Sequence, residues 1–242
     1  IKKFVDIPVV CAGRMDPATG AEAVKEGKID AVGVARQFLT DPEWVTKLME
    51  EREDDIQPCI CCHNACFNMC HYKGVANDQS LSDNAGMARC ALNPRTMQSK
   101  KYKIVKTSSP KRVAIVGGGV GGMETARVLA LRGHKPTIFE KTDRLGGVFI
   151  AAAAPSFKEK DRDLIKWYIK QIGDLGVEGK FNTAVTDLGT LKDYDYVVVA
   201  TGSTPHKLRV EGAEKAVEAC EYLLGEKPVG DRVIVVGGGL SG

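Results

Sequence analysis

Val113-Ala114-Ile115-Val116-Gly117-Gly118-Gly119-Val120-Gly121-Gly122 is the stretch on which the reading of the fold turns. Four apolar residues bounded by glycine read as a short buried strand of a parallel sheet. The run that follows fits G-x-G-x-x-G at Gly117, Gly119 and Gly122. It opens a helix from about Val120 to Arg132, which Gly133 is placed to stop. A second strand, Thr137–Phe139, ends at Glu140, which stands 23 residues after Gly117. Strand, glycine loop, helix and strand ending in an acid form the dinucleotide-binding pattern. Glycine lets the backbone approach a pyrophosphate, the helix N-terminus stabilises its charge, and the acid accepts from ribose hydroxyls.

Toward the C-terminus, an amphipathic helix is expected over 158–175, with Leu164, Ile165, Tyr168, Ile169, Ile172 and Leu175 on one face and Gly176 as its stop. A strand, Tyr196–Val199, runs into Ala200-Thr201-Gly202, and a helix is expected near Ala216–Leu224. Val233–Val236 reads as a further strand, entering a second glycine loop at Gly237, Gly239 and Gly242. Two such loops in one chain suggest FAD together with a nicotinamide cofactor. Trp44 and Trp167 lie on helical faces and read as core.

Toward the N-terminus, residues 1–57 read as two strand–helix units. Strand Pro8–Cys11 precedes Ala12-Gly13-Arg14 and a helix opened by Asp16-Pro17 and ended by Gly27. Strand Ala31–Val34 precedes Ala35-Arg36, and a second helix is expected from Asp41-Pro42 through Glu53. Alternating strands and helices imply a parallel sheet. Arg14 and Arg36 each follow a barrel-like strand, where a cation and backbone amides can hold phosphate. On the sequence alone, a surface or interstrand ion pair is the plainer reading of each arginine. The first strand begins almost at once, and no helix follows the second glycine loop, so the sequence reads as a piece of a longer protein.

Between these regions lie the cysteines. The chain has eight, and five fall between Cys59 and Cys70. Clustered thiols without a secretory leader read as ligands or reduced thiols, not as a disulfide scaffold, which points to the cytoplasm. Cys59-x2-Cys62-x3-Cys66 followed by Cys90 lacks the second close pair usual for zinc, and its uneven spacing suits an iron–sulfur cluster. Zinc stays open, and Cys61 and Cys70 compete as ligands. His63 and His71 read as loop residues, as does the segment Asn77–Gly86. Cys11 and Cys220 read as small apolar residues. Lys100–Arg112 carries six basic residues, a solvated linker more than a phosphate-facing strip.

The bulk numbers exclude other classes. With 242 residues the chain holds one or two domains, and its 43% hydrophobic and 27% charged residues are ordinary for a globular protein. A net charge of +3 drives it to neither nucleic acid nor membrane, and the longest apolar stretch is far too short to span a bilayer.

In this order, Pro58-Cys59-Ile60-Cys61-Cys62-His63-Asn64-Ala65-Cys66, Cys90-Ala91-Leu92-Asn93-Pro94, the glycine loop, Leu145-Gly146-Gly147, Ala200-Thr201-Gly202 and the second loop resemble the NADH:flavin oxidoreductases of the old yellow enzyme superfamily that carry a [4Fe–4S] centre. The family includes 2,4-dienoyl-CoA reductase, 2-enoate reductase and trimethylamine dehydrogenase. The resemblance implies an α/β architecture in four parts. Residues 1–57 would be the C-terminal end of an FMN-binding (β/α)8 barrel, and 58–108 the iron–sulfur segment. Residues 109–205 would be a Rossmann-like FAD domain, and 206–242 the start of an NAD(P)H domain. It implies Cys59, Cys62, Cys66 and Cys90 as cluster ligands, and Gly13, Arg14, Ala35 and Arg36 as the FMN phosphate site. Gly117, Gly119, Gly122, Glu140 and Arg144-Leu145-Gly146-Gly147 would hold FAD, with Thr201 and Gly202 lining its far side. Gly237, Gly239 and Gly242 would serve NAD(P)H.

The expected activity is reduction of an activated C=C bond in an unsaturated acid, thioester or enone, with electrons drawn from NAD(P)H through FAD, the cluster and FMN. An amine dehydrogenase is the alternative within the family, and a zinc-containing nucleotide sensor the alternative outside it. A homo-oligomer is compatible with the pattern. No proton donor can be named within these residues.

Overall fold

A computed structural model describes residues 1–67, 88–206 and 209–239. The chain divides into two compact units, Ile1–Lys103 and Ile104–Gly242.

In the first unit, β1 (Val10–Ala12) and β2 (Ala31–Gly33) pair in parallel, with Val10 opposite Ala31 and Ala12 opposite Gly33. The connecting helix α1 (Pro17–Lys25) starts as its residues dictate: the Asp16 carboxylate accepts from the Thr19 amide at 2.9 Å, and Pro17 opens the first turn. Gly27, at φ +69°, follows the helix end.

The single helix expected from Asp41 through Glu53 is cut down to α3 (Trp44–Met49), followed by a 3-10 turn, Glu53–Asp55, and an unexpected short helix, α2 (Arg36–Thr40), precedes Asp41. The reason lies in Asp41, which is buried at 4% exposure and serves as a hub. Its carboxylate accepts from the Glu43 amide (3.1 Å), the Lys47 ammonium (2.7 Å) and the Gln57 amide (2.9 Å). Those bonds draw the chain back on itself, and Glu51 makes the turn at φ +56°. Trp44 is half-buried, edge-on to Phe38.

The second unit is a four-stranded parallel sheet in the order β5-β4-β3-β6. Its strands are β3 (Arg112–Val116), β4 (Lys135–Phe139), β5 (Glu178–Lys180) and β6 (Tyr196–Val199). Val116 stands beside both Phe139 and Val199, so three strands end level. Helix α4 (Val120–Leu131) follows the glycine loop, and the short α5 (Phe149–Ala152) follows the Leu145-Gly146-Gly147 turn.

The core joins Val113, Ala114, Ile115 and Ile138 of the sheet to Met123 and Ala126 of α4. Leu164, Trp167, Tyr168 and Ile172 of α6 (Glu159–Asp174) complete it. The buried stripe of α6 is rotated from expectation. Ile169 is 46% exposed and Ile165 half-buried, because the face centred on Leu164, Tyr168 and Ile172 takes Trp167 and Asp161 instead.

Near the C-terminus the helix is α7 (Ala219–Leu223), shorter than expected. The strand expected at Val233–Val236 does not form: these residues are exposed, Ile234 at 89%, and find no ladder partner among the described residues. A strand without a partner leaves its backbone groups unpaired, so apolar character alone does not make one. Among the described residues, no helix is long and apolar enough to cross a membrane.

Candidate functional site

Two constellations stand out, one in each unit. The first lies at the carboxyl ends of β3, β4 and β6, the edge where open parallel sheets bind ligands. Gly117 leaves β3 at φ +112°, and its amide donates to the Phe139 carbonyl at 2.8 Å. A side chain at Gly117 would strike the Ala200 carbonyl, and one at Gly122 would overlap the Gly117 carbonyl oxygen. The loop therefore requires glycine at both positions for lack of room. Gly119 begins α4 with no side chain capping it, leaving the first-turn amides and the positive helix end open to an anion.

Glu140 stands at the end of β4, buried at 6% exposure. Its carboxylate accepts from the Gly118 amide (2.7 Å), the Thr142 amide (2.9 Å) and the Thr142 hydroxyl (2.9 Å). Burial pushes its pKa up, but these hydrogen bonds outweigh burial and hold it below the usual glutamate value. Three of about four lone-pair directions are thereby taken. Glu140 thus fixes the glycine loop, a role its position in the motif did not reveal.

The Leu145-Gly146-Gly147 turn closes over the loop. Gly146 donates to the Gly118 carbonyl at 2.9 Å, Gly119 and Gly146 form an isolated bridge, and Leu145 is buried against Gly118. Arg144 is exposed and stands 3.9 Å from Asp143. Thr201 and Gly202 follow β6 at the same edge, both exposed. Gly237 and Gly239 are exposed in a segment without a strand, and no described residue lies within 4 Å of where their side chains would be. Gly242 lies outside the described residues.

The second constellation is a small, partly open hollow in the first unit. Cys59, Cys62, Cys66 and Cys90 all line it, together with Arg36, Thr40 and His63. Cys61 does not; it turns at φ +55° and its thiol lies 3.7 Å from the Cys59 carbonyl. Cys70 and His71, and the loop expected at Asn77–Gly86, lie outside the described residues. No three His, Cys, Asp or Glu side chains among the described residues converge as they would around one ion.

Helix α2 holds this segment at almost every residue. The Arg36 guanidinium stands 2.9 Å from His63 Nε2. Arginine can only donate, so that ring nitrogen accepts. Gln37 accepts from the Cys59 amide (3.0 Å) and donates to the Gln57 carbonyl (2.7 Å). The Leu39 carbonyl accepts from Asn93 (2.9 Å) and Thr96 (2.7 Å). Thr40 Oγ1 stands 3.4 Å from Cys90 Sγ, and the Leu92 amide donates to the same sulfur at 3.4 Å. Burial pushes the Cys59 thiol above its ordinary pKa. Gln37, Thr40, Asn93 and Thr96 went unread in the sequence because single polar residues in short segments carry no periodic signal.

Gly13 (φ +121°) and Arg14 (φ +51°) follow β1, while Ala35 and Arg36 follow β2, at the same end of the parallel pair.

Residues 1–55 match the NADH:flavin oxidoreductase / NADH oxidase family, and residues 74–193 and 179–242 match the pyridine nucleotide-disulphide oxidoreductase family. The whole chain is 42% identical over 245 residues to cinnamate reductase of Clostridium sporogenes, covering 35% of that protein. It is 35% identical over 251 residues to NADH oxidase of Thermoanaerobacter brockii, covering 37% of it. In structure it resembles 2-naphthoyl-CoA reductase solved with 2-naphthoyl-CoA, with a TM-score of 0.83 and 32% identity over 95% of this chain and 34% of that one. The chain thus spans about a third of the length of its relatives.

Proposed function

We propose, from the premise that this chain belongs to the pyridine nucleotide-disulphide oxidoreductase family over residues 74–242 and to the NADH:flavin oxidoreductase family over residues 1–55, that it is the electron-delivering part of an NAD(P)H-dependent ene-reductase. The substrate class is an activated C=C bond in a 2-enoate, an enoyl-CoA thioester or an enone. The observation that carries this reading is the set of four thiols around one hollow, in a chain that also builds a glycine cradle for a dinucleotide. The identity to cinnamate reductase supports the substrate class, since cinnamate is itself a 2-enoate.

When bound, the flavins would supply hydride and one-electron chemistry, and a [4Fe–4S] cluster single-electron transfer. The residues divide that work. Gly117, Gly119 and Gly122 with the start of α4 would seat the FAD pyrophosphate, and Glu140 the ribose. Arg144, Leu145, Gly146, Gly147, Thr201 and Gly202 would line the same edge. Arg14 and Arg36, with the amides of Gly13 and Ala35, would take the FMN phosphate. Cys59, Cys62, Cys66 and Cys90 would hold the cluster. Gly237, Gly239 and Gly242 would serve the nicotinamide nucleotide.

The test uses the holoenzyme that carries this chain, purified without oxygen. Addition of NADH or NADPH should bleach the flavin absorbance, and cinnamate should restore it with formation of the saturated acid. Bleaching by an amine and by neither nucleotide would move the protein to the amine dehydrogenases. Stoichiometric zinc without acid-labile sulfide would overturn the cluster.

A further inference from the structure

Thr40 is buried at 3% exposure on the wall of the cysteine hollow. Its hydroxyl carries one proton and stands 3.2 Å from the Arg36 carbonyl and 3.4 Å from Cys90 Sγ. While Cys90 is a thiol, the sulfur can give its own proton to Oγ1, and Thr40 can keep its hydrogen bond to the carbonyl. A metal-ligating cysteine is a thiolate with no proton to give. The Thr40 proton then has a charged acceptor on one side and a carbonyl already used within α2 on the other, and bonds to charged groups are the stronger. The Leu92 amide donates to the same sulfur at 3.4 Å. The ligated Cys90 sulfur would thus receive one N–H and one O–H bond, the second from a side chain.

We propose that Thr40 is a positioning residue for the cluster, its hydroxyl turning from the Arg36 carbonyl to the Cys90 thiolate and raising the cluster's reduction potential. This rests on the cluster reading above. The physics is one of differential charge: reduction adds an electron to the cluster and its sulfurs, and a donor aimed at sulfur stabilises that state more than the oxidised one.

The experiment is a potentiometric titration of the anaerobic holoenzyme, read by the electron paramagnetic resonance signal of the reduced cluster, with iron and acid-labile sulfide measured on each sample. Thr40→Val keeps the shape and removes the donor. At a fixed potential its ratio of reduced to oxidised cluster should fall roughly tenfold, a shift of about 59 mV for a one-electron couple. Thr40→Ala should shift the same way, and Thr40→Ser should return the wild-type potential. Wild-type potentials in fully loaded Val and Ala variants would overturn the proposal. Loss of the cluster from both would assign Thr40 to assembly and overturn the tuning role. Wild-type protein without iron and sulfide would sink the cluster reading itself, and that result is distinguishable from the other two.

Discussion

The glycine cradle and the cysteine hollow are built from different materials. In the cradle, backbone meets backbone: Gly117 against Ala200, Gly122 against Gly117, and Gly119 beside Gly146. In the hollow, side chains of one short helix reach to a backbone amide, a sulfur and an imidazole of a segment with little regular structure: Gln37 to Cys59, Thr40 to Cys90, Arg36 to His63. Close backbone approach tolerates no added atom, whereas a hollow held by hydrogen bonds tolerates volume but not the loss of a partner. The first should fail by overpacking and the second by losing a thiol or a hydrogen-bond partner.

The largest effect should come from Gly122→Val. The added atoms would overlap the Gly117 carbonyl oxygen, and neither the strand end nor the start of α4 can yield without unseating the other. Overpacking of this kind costs about 1–3 kcal/mol, and more when backbone must move. The cradle also loses its shape, so FAD should be absent after desalting and the thermal midpoint lowered. A Gly122→Val protein with full FAD content would break the contrast at its root.

Cys90→Ser should leave the cradle untouched and empty the hollow. Iron and acid-labile sulfide should fall severalfold at least, with FAD content unchanged, while Cys61→Ser should keep both, since Cys61 does not line the hollow. If Cys70→Ser removes the iron and Cys90→Ser does not, the fourth ligand lies outside the described residues.

The same contrast explains what the sequence made legible. The cradle was readable because each constraint falls on a residue type at fixed spacing: apolar strand, glycines, and an acid at Glu140. The parallel sheet followed from the alternation of its elements. Strand β5, Glu178-Gly179-Lys180, was not readable, because it lies fully exposed at the sheet edge and has no apolar alternation. The run Val233–Val236 misled for the opposite reason, with strong apolar character and no partner strand among the described residues. In the hollow, the cysteines announced themselves but their supports did not. Asp41 read as the start of a helix and Thr40 carried no signal, and only the structure brings Asp41 to Lys47 and Gln57 and Thr40 to Cys90.

Glu140 is the place where the cradle does depend on a side chain, and it gives the smallest effect. Its folded pKa is depressed: burial raises it, but the bonds from Thr142 and Gly118 lower it by more. A depressed carboxylate contributes stability that is fully present above its unfolded value of about 4.3 and is lost as pH falls through the folded value. Glu140→Gln replaces one acceptor oxygen by an amide donor, which must face either the Gly118 amide or the Thr142 donors. The cost at neutral pH should be about 1–2 kcal/mol. Urea unfolding of wild type and variant should therefore show a gap at pH 7 that narrows below about pH 4, as the wild-type carboxylate takes up its proton and loses the same bonds. A gap of constant size down to pH 3 would mean that the charge of Glu140 does not hold Gly118, and that the cradle is fixed by its backbone contacts alone.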